Sequence, residues 1–267
     1  VLEPGESFEA PEAFLSFSGS GFEQLSRNYH EFINTGIIPA RFQDMPRPVL
    51  INNWEATYFD FDGDKIAAIA DEAAALGIDM LVLDDGWFGS RNNDSEALGD
   101  WFVNEEKLQG TLQNLIEQIH AKGMKFGLWI EPEMISEESR LYRENPGWAL
   151  HIPGRGVNRC RYQLDLDMAN PEVVDYLFER FDTLLNENDI DYVKWDMNRS
   201  ISDWYSPSVP ADRQKEVPHR YVLGVYALLD RLTKAHPGVL FEGCAGGGGR
   251  FDAGMLFYQP QIWTSDN

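Results

Sequence analysis

The chain has 267 residues, a length that suffices for one large domain or two small ones. Of these residues, 43% are hydrophobic and 25% are charged, a composition that excludes a disordered protein. Its 44 acidic residues outnumber its 22 basic ones, and the formal net charge of −22 disfavours a nucleic-acid partner, an anionic membrane or an acidic substrate. A neutral ligand suits this charge best.

The first 45 residues have a pattern of their own. Pro and Gly are mixed with short alternating apolar residues over Val1–Ser18, which is typical of the last strand or two of a preceding β domain. The segment Gly21–Phe32 is predicted to be a connecting helix. We therefore expect a domain boundary between residues 1–45 and residues 46–267.

From residue 46 onwards, strand patterns alternate with helical patterns. Six apolar runs are predicted to be strands, at Val49–Trp54, Met80–Trp87, Lys125–Ile130, Asp191–Trp195, Val239–Glu242 and Gln261–Trp263. Amphipathic patterns predict helices at about Lys65–Leu76, Thr111–Lys122 and His219–Ala235, and another that begins at the Asn170 cap. In the helix at His219–Ala235, the residues expected to face inward are Val222, Val225, Leu229 and Leu232. Repeated strand–helix units predict an α/β fold with a parallel sheet.

The ends of the predicted strands distinguish two architectures. Five of the six strands run into polar or aromatic residues, namely Trp54, Asp84, Asp85, Trp129, Glu131, Lys194, Asp196 and Asp266. A doubly wound sheet concentrates its site at one switch point, whereas a barrel gathers residues from many strand ends on one face, so the spread favours a (β/α)8 TIM-type barrel. Because the sixth strand ends just before Asn267, we expect the first six βα units, with the last two missing, and low stability for a barrel with two open edges.

Two aspartates are candidates for glycosidic bond cleavage. Lys194, Asp196 and Asn198 alternate at the end of the fourth strand and so share one face. A carboxylate beside an ammonium stays ionised and can attack the anomeric carbon of a sugar, although a strand-end salt bridge with a capping Asn explains this segment equally well. Asp266 follows the sixth strand and would supply the second carboxyl group that glycoside hydrolysis needs; considered alone, it is better explained as a helix N-cap.

Asp84 and Asp85 are adjacent acids at a strand end, which is unfavourable unless a ligand binds them. Sugar hydroxyls or a metal ion could do so, with a solvated turn as the simple alternative. Because the five His residues form no ligand pair in the sequence, the metal is the weaker interpretation, and we expect no cofactor. The segment Asp60–Asp64 resembles part of a calcium loop, but its spacing departs from that pattern and helix capping explains it better.

The glycine run Gly243–Gly249 would let the backbone approach a ligand closely. It lacks the Lys-Ser/Thr ending of a phosphate loop, so contact with a sugar hydroxyl fits better than contact with a nucleotide. Cys244 in this run is expected to be a packing or contact residue. With only one further cysteine, Cys160, the chain has no disulfide framework, and no signal peptide follows Val1, so we expect a cytoplasmic protein.

Seven segments together resemble the melibiase family, family 36 of the glycoside hydrolases, over nearly the whole chain. They are Asn52–Thr57, Leu83–Phe88, Gly127–Met134, Arg161–Leu166, Tyr192–Arg199, Glu242–Gly248 and Trp263–Asn267. The resemblance implies a β-sandwich that ends within residues 1–45, then the barrel, then a small C-terminal β domain, commonly in a tetramer. It implies retaining hydrolysis of terminal α-galactosides, such as those of melibiose or raffinose.

The resemblance also implies roles for individual residues. The family nucleophile corresponds to Asp196 and the general acid/base to Asp266. The family galactose contacts correspond to Trp54, Asp84, Asp85, Trp129, Arg161, Lys194, Asn198, Cys244 and Gly246. For a retaining enzyme we expect the two catalytic carboxyl groups to lie about 5–6 Å apart.

Three other functions stay open at this stage. A transferase of the raffinose-synthase type would differ in acceptor pockets, which the sequence does not show. An α-N-acetylgalactosaminidase is disfavoured because a thiol beside the 2-position suits a hydroxyl better than an acetamido group. A sugar-binding barrel without turnover would lack one carboxylate, yet both are present, so it becomes relevant only if an open barrel fails to hold them together.

Overall fold

A six-stranded parallel sheet forms the frame of the protein, which is a computed structural model that describes residues 2–266. Its strands, in their order across the sheet, are β1 (Leu50–Asn52), β2 (Met80–Leu83), β3 (Lys125–Ile130), β6 (Tyr192–Trp195), β7 (Leu240–Gly243) and β8 (Gln261–Ile262). Each strand pairs with the preceding strand of the same sheet, and no reversal of order occurs. This is the connectivity of successive strands in a TIM-type barrel and not that of a doubly wound sheet.

All six predicted strands are confirmed; half of the twelve predicted ends move inward, and β7 ends one residue later than predicted, at Gly243. The run predicted at Met80–Trp87 contains a strand only as far as Leu83. A separate antiparallel pair, β4 (Met134–Ile135) and β5 (Leu164–Asp165), was not predicted. Strands of two residues are too short to produce a readable alternation, which explains why this pair was missed.

The helices are α1 (Phe22–Phe32), α2 (Ala40–Gln43), α3 (Trp54–Thr57), α4 (Gly63–Ala75), α5 (Glu105–Leu108), α6 (Leu112–His120), α7 (Arg140–Glu144), α8 (Pro171–Glu187), α9 (Val217–Ala235) and α10 (Ala253–Tyr258). The N-terminus of α4 is capped by Asp62, whose side chain accepts a hydrogen bond of 2.8 Å from Lys65 N. Capping, preferred over a calcium loop for Asp60–Asp64, is therefore confirmed.

The long helices pack their apolar faces against the sheet. In α9, Val225, Leu229 and Leu232 are buried as predicted, but Val222 is 43% exposed, so its predicted inward position is wrong. The buried face instead includes Tyr221 and continues at intervals of three and four residues, and Val222 lies one position further round the helix.

A small apolar cluster fills the barrel interior at the N-terminal ends of the strands. Phe42 of α2 packs there against Met80, Tyr192 and Leu240, which are the first residues of β2, β6 and β7. Because side chains fill this end of the barrel, we expect a ligand site at the opposite end, where the strands finish.

Residues 2–18 contain no strand in the part of the chain that the structure describes, and the connecting helix predicted at Gly21–Phe32 is present as α1. A strand forms only beside a partner strand, and no strand found among residues 2–266 pairs with this segment. The β-sandwich expected to end in residues 1–45 and the boundary at residue 46 therefore stay predictions. Among residues 2–266, no helix is long and apolar enough to cross a membrane.

Candidate active site

A cleft of about 550 Å³ opens at the C-terminal ends of the strands. It is lined by Leu50, Ile51, Asn52, Trp54, Glu55, Asp84, Asp85, Trp129, Arg161, Lys194, Asp196, Asn198, Trp263, Ser265 and Asp266. Nine of the eleven predicted site residues line it, including both candidate catalytic acids. The barrel connectivity thus brings together side chains that lie up to 212 positions apart in the chain, from Trp54 to Asp266.

Asp196 is held by a set of N–H donors just after β6. Its Oδ2 accepts hydrogen bonds from Trp129 Nε1 at 3.0 Å and from Asn198 Nδ2 at 2.7 Å. Its Oδ1 accepts from the backbone N–H of Met197 at 2.9 Å. Because both oxygens are fixed in this way, the carboxylate has one orientation in the cleft, as a nucleophile requires.

A buried ion pair joins Lys194 to Asp84 at the base of the cleft, with 3.0 Å between Nζ and Oδ2. Burial by itself lowers the pKa of Lys194, but the carboxylates of Asp84 and Asp196 outweigh it and raise the pKa above its usual value. The Lys194 ammonium also lies 4.5 Å from the centre of the Trp263 ring, a contact that the sequence did not reveal. Lys194 is therefore a permanent cation in the cleft.

Asp85 has a different partner. The guanidinium of Arg91 donates to both of its oxygens, from Nε at 3.0 Å and from Nη2 at 2.8 Å. Burial raises the pKa of Asp85, and Arg91 works against that rise. Both adjacent acids are thus buried and paired, which excludes the alternative of a solvated turn and leaves their outer edges on the cleft.

Asp266 is exposed and lies on the cleft wall after β8. The glycine run supports the segment that carries it. Gly247 has φ +81°, and a Cβ at this position would come within 2.9 Å of Ser265 Cα and 3.3 Å of Asp266 N. Gly248 N also donates to Thr264 O at 3.2 Å. The glycines therefore allow two backbones to approach each other closely.

Cys244 and Gly246, both predicted to contact the sugar, are not among the residues that line the cleft. Cys244 is only 2% exposed, and its thiol lies close enough to Asp196 for the carboxylate to affect it electrostatically. Burial raises the pKa of this thiol far above its usual value, so the group stays a protonated thiol rather than a reactive thiolate. Gly246 is exposed and has left-handed φ, a conformation that favours glycine.

Arg161 reaches the cleft from the segment before β5, and its own φ is +51°. This segment is fastened by Arg199, whose Nη1 donates to Asn158 O at 2.8 Å and to Gln163 O at 2.7 Å. Arg199 also pairs with buried Asp165 at 3.0 Å. Arg199, which directly follows Asn198, thus positions the segment that carries Arg161.

Glu131 and Glu133 are buried just after β3, and the sequence predicted no catalytic or binding role for either. Glu133 accepts two hydrogen bonds from Arg250, at 2.8 and 3.0 Å, and one each from Trp195 and Tyr221. Burial opposes ionisation, but Arg250 and the other donors outweigh it, and the pKa of Glu133 is lowered. Arg250 directly follows the glycine run Gly243–Gly249, so the Glu133–Arg250 ion pair fixes the run that packs against the Asp266 segment. The position of the two glutamates at the end of a strand was the one feature of the sequence that could have indicated a place near the site.

No group of three or more His, Cys, Asp or Glu side chains within residues 2–266 has the arrangement of a metal site.

The comparisons with known proteins agree with this geometry. The sequence profile of the Melibiase family matches residues 7–267. The chain is 51% identical over 267 residues to α-galactosidase AgaA of Geobacillus stearothermophilus, covering 100% of this chain and 37% of that protein. It is 51% identical over 266 residues to α-galactosidase Mel36A of Lactobacillus acidophilus, covering 100% of this chain and 36% of that protein.

Solved structures show the same fold. A variant of AgaA in complex with stachyose superposes with a TM-score of 0.97 at 50% identity, over 100% of this chain and 37% of that one. Another AgaA variant, in complex with raffinose, has a TM-score of 0.89 at 51% identity, over 91% of this chain and 34% of that one. The chain spans little more than a third of the length of these relatives.

Proposed function

The chain belongs to the melibiase family, and we propose that it carries the active site of a retaining α-galactosidase. The observation that supports this proposal most strongly is that Asp196 and Asp266 line the same cleft, from two strands that are not neighbours. Glycoside hydrolysis with retention needs two carboxyl groups that face one sugar from opposite sides.

In the proposed reaction, Asp196 attacks the anomeric carbon while Asp266 donates its proton to the glycosidic oxygen. The bond to the leaving sugar breaks, and a covalent galactosyl ester forms on Asp196. Asp266, now a carboxylate, takes a proton from water, and the resulting oxygen nucleophile attacks the same carbon and releases Asp196. Two inversions give net retention of configuration.

The rest of the cleft suits a neutral sugar with several hydroxyls. Asp84 and Asp85 present carboxylate oxygens that are already fixed by Lys194 and Arg91, so a hydroxyl that donates to them meets an ordered acceptor. The rings of Trp129 and Trp54 offer apolar surfaces to the faces of the sugar. The raffinose and stachyose complexes of relatives support α-galactosyl oligosaccharides as the substrate class.

A hydrolysis assay on the full-length protein tests the proposal. Aryl α-galactosides should be cleaved, whereas aryl β-galactosides, α-glucosides and α-N-acetylgalactosaminides should be cleaved far more slowly. Proton NMR of the first turnovers should show α-galactose before mutarotation, because retention preserves the anomer. β-Galactose as the first product would exclude the retaining mechanism, and transfer of galactose to added sucrose in place of water would favour a transferase.

A further inference from the structure

Glu131 is a buried acid that the proposed reaction does not use. It directly follows β3 and has no solvent exposure. Trp129, two residues earlier, donates to Asp196, and Glu131 itself contacts the backbone of Asn198, so Glu131 lies close to the proposed nucleophile. A buried carboxyl group in such a place requires an explanation, because burying it is unfavourable unless hydrogen bonds or a charged partner compensate, and perturbed buried acids are often functional.

Its two oxygens connect two segments of the active site. Glu131 Oε1 accepts a hydrogen bond of 2.6 Å from the backbone N–H of Asn198, and the side chain of Asn198 donates to Asp196. Glu131 Oε2 lies 2.8 Å from the side-chain amide of Gln163, two residues after Arg161. One side chain thus joins the nucleophile turn to the segment that carries Arg161 into the cleft.

We propose that Glu131 is a positioning residue that works as a neutral carboxylic acid, joining the Asn198 backbone to the Gln163 side chain beside Asp196. The inference rests on the proposed role of Asp196 as nucleophile. A neutral clamp holds the turn in place and adds no second negative charge beside the attacking carboxylate.

The surroundings of Glu131 favour the protonated form. Burial raises the pKa of Glu131 well above its usual range, and the nearby carboxylates of Asp196 and Asp85 raise it further. The Asn198 N–H and the Arg91 guanidinium work in the opposite direction with smaller effect.

A neutral acid needs an acceptor for its O–H. The buried Oε1 of Gln163 makes no hydrogen bond within the described residues, so turning the amide by 180° presents this oxygen to Glu131 without breaking any other bond.

Two substitutions in the full-length protein separate this clamp from a simple filler of space. Glu131→Leu has a similar volume but makes no hydrogen bonds, so the turn Asp196–Asn198 should be displaced. We expect kcat to fall about 100-fold and KM to change by a smaller factor. Glu131→Gln reproduces the neutral acid, because its amide can accept from Asn198 and donate to Gln163 Oε1, and it should recover most of the lost kcat. If Glu131→Gln is as slow as Glu131→Leu, the neutral clamp is wrong.

Infrared difference spectroscopy provides a readout that does not depend on turnover. At neutral pH, the spectrum of the wild type minus that of Glu131→Gln should show the carbonyl stretch of a protonated carboxylic acid. The matched control is Glu138→Gln, at an exposed carboxylate 2.9 Å from Arg143, which should show carboxylate bands. Carboxylate bands for Glu131 would overturn the proposal even if hydrolysis is confirmed, and a protonated band would support it even if hydrolysis is not.

Discussion

Lys194 and Asp84 form a buried ion pair of 3.0 Å although 110 positions separate them in the sequence. Their side chains are only 7% and 5% exposed; Lys194 lies in β6 and Asp84 directly follows β2, and these two strands lie on either side of β3. The pair therefore spans the base of the cleft over the end of β3. Asp84 is held in this position by a cation whose pKa is also raised by the charge of Asp196, so the proposed sugar-binding acid and the proposed nucleophile share one charged neighbour.

Lys194→Met should damage stability and binding together. It leaves the buried Asp84 carboxylate without its cation, and breaking a buried pair in this way costs about 3–5 kcal/mol in the free energy of unfolding. KM should rise as well, because Asp84 loses its fixed orientation. Denaturant unfolding and steady-state kinetics of the full-length protein measure both effects.

Lys234→Met is the control, since Lys234 pairs with Asp230 on the exposed side of α9. Pairs of this kind contribute little, so its unfolding midpoint should stay near that of the wild type. Equal destabilisation by the two substitutions would show that the pair in the cleft has no special role.

Asp196→Ala should remove the proposed nucleophile and lower kcat by on the order of 10⁴-fold or more. Added azide can enter the space that the carboxylate leaves and attack the anomeric carbon from the same side, and the product should be β-galactosyl azide, which NMR identifies. Asp175→Ala, at an exposed ion pair with Arg231, should form none of this product. If Asp196→Ala keeps full activity, another residue attacks the sugar.

Asp266→Asn should affect substrates according to their leaving groups. A leaving group that departs as a stable anion needs little protonation, whereas a sugar alcohol needs a full proton, so the loss should be much greater for raffinose than for a dinitrophenyl α-galactoside. Comparison of kcat/KM for the two substrates measures this difference. Equal losses on both substrates would count against Asp266 as the general acid.

The strands were predictable because each is a largely apolar run, and five of the six lead into polar or aromatic residues. Lys125–Ile130 was predicted with its observed bounds. The run at Met80–Trp87 was predicted too long because Trp87 is fully buried without being in a strand. Apolar patterns indicate burial, and burial alone does not distinguish a strand from a packed loop.

The partners of the site residues were not predictable from spacing. Arg91, six residues after Asp85, belongs to no recognised pattern, and its bidentate contact depends on how the loop after β2 folds back. The sugar contact of Cys244, which the family resemblance implies, stays a prediction; the structure shows that its side chain is buried near Asp196.

Asp165 should make the stability of the protein depend on pH. Burial raises the pKa of its carboxyl group to about 7 although Arg199 is 3.0 Å away, and its Oδ1 has no hydrogen-bond partner within the described residues. The unfolded chain has an ordinary Asp with a pKa near 4, so between about pH 4 and about pH 7 the folded state binds more protons. The free energy of unfolding therefore falls as pH rises through this window.

Asp165→Asn keeps the shape of the side chain and removes the proton equilibrium. Relative to the wild type, the variant should gain up to about 4 kcal/mol in the free energy of unfolding as pH rises from about 4 to about 7, because only the wild type loses this contribution. Denaturant unfolding at both ends of the window measures the change, with Asp175→Asn as the control for introducing an amide at an exposed ion pair. A difference between Asp165→Asn and the wild type that stays constant across the window would show that Asp165 is already ionised at its acidic end, with Arg199 outweighing burial.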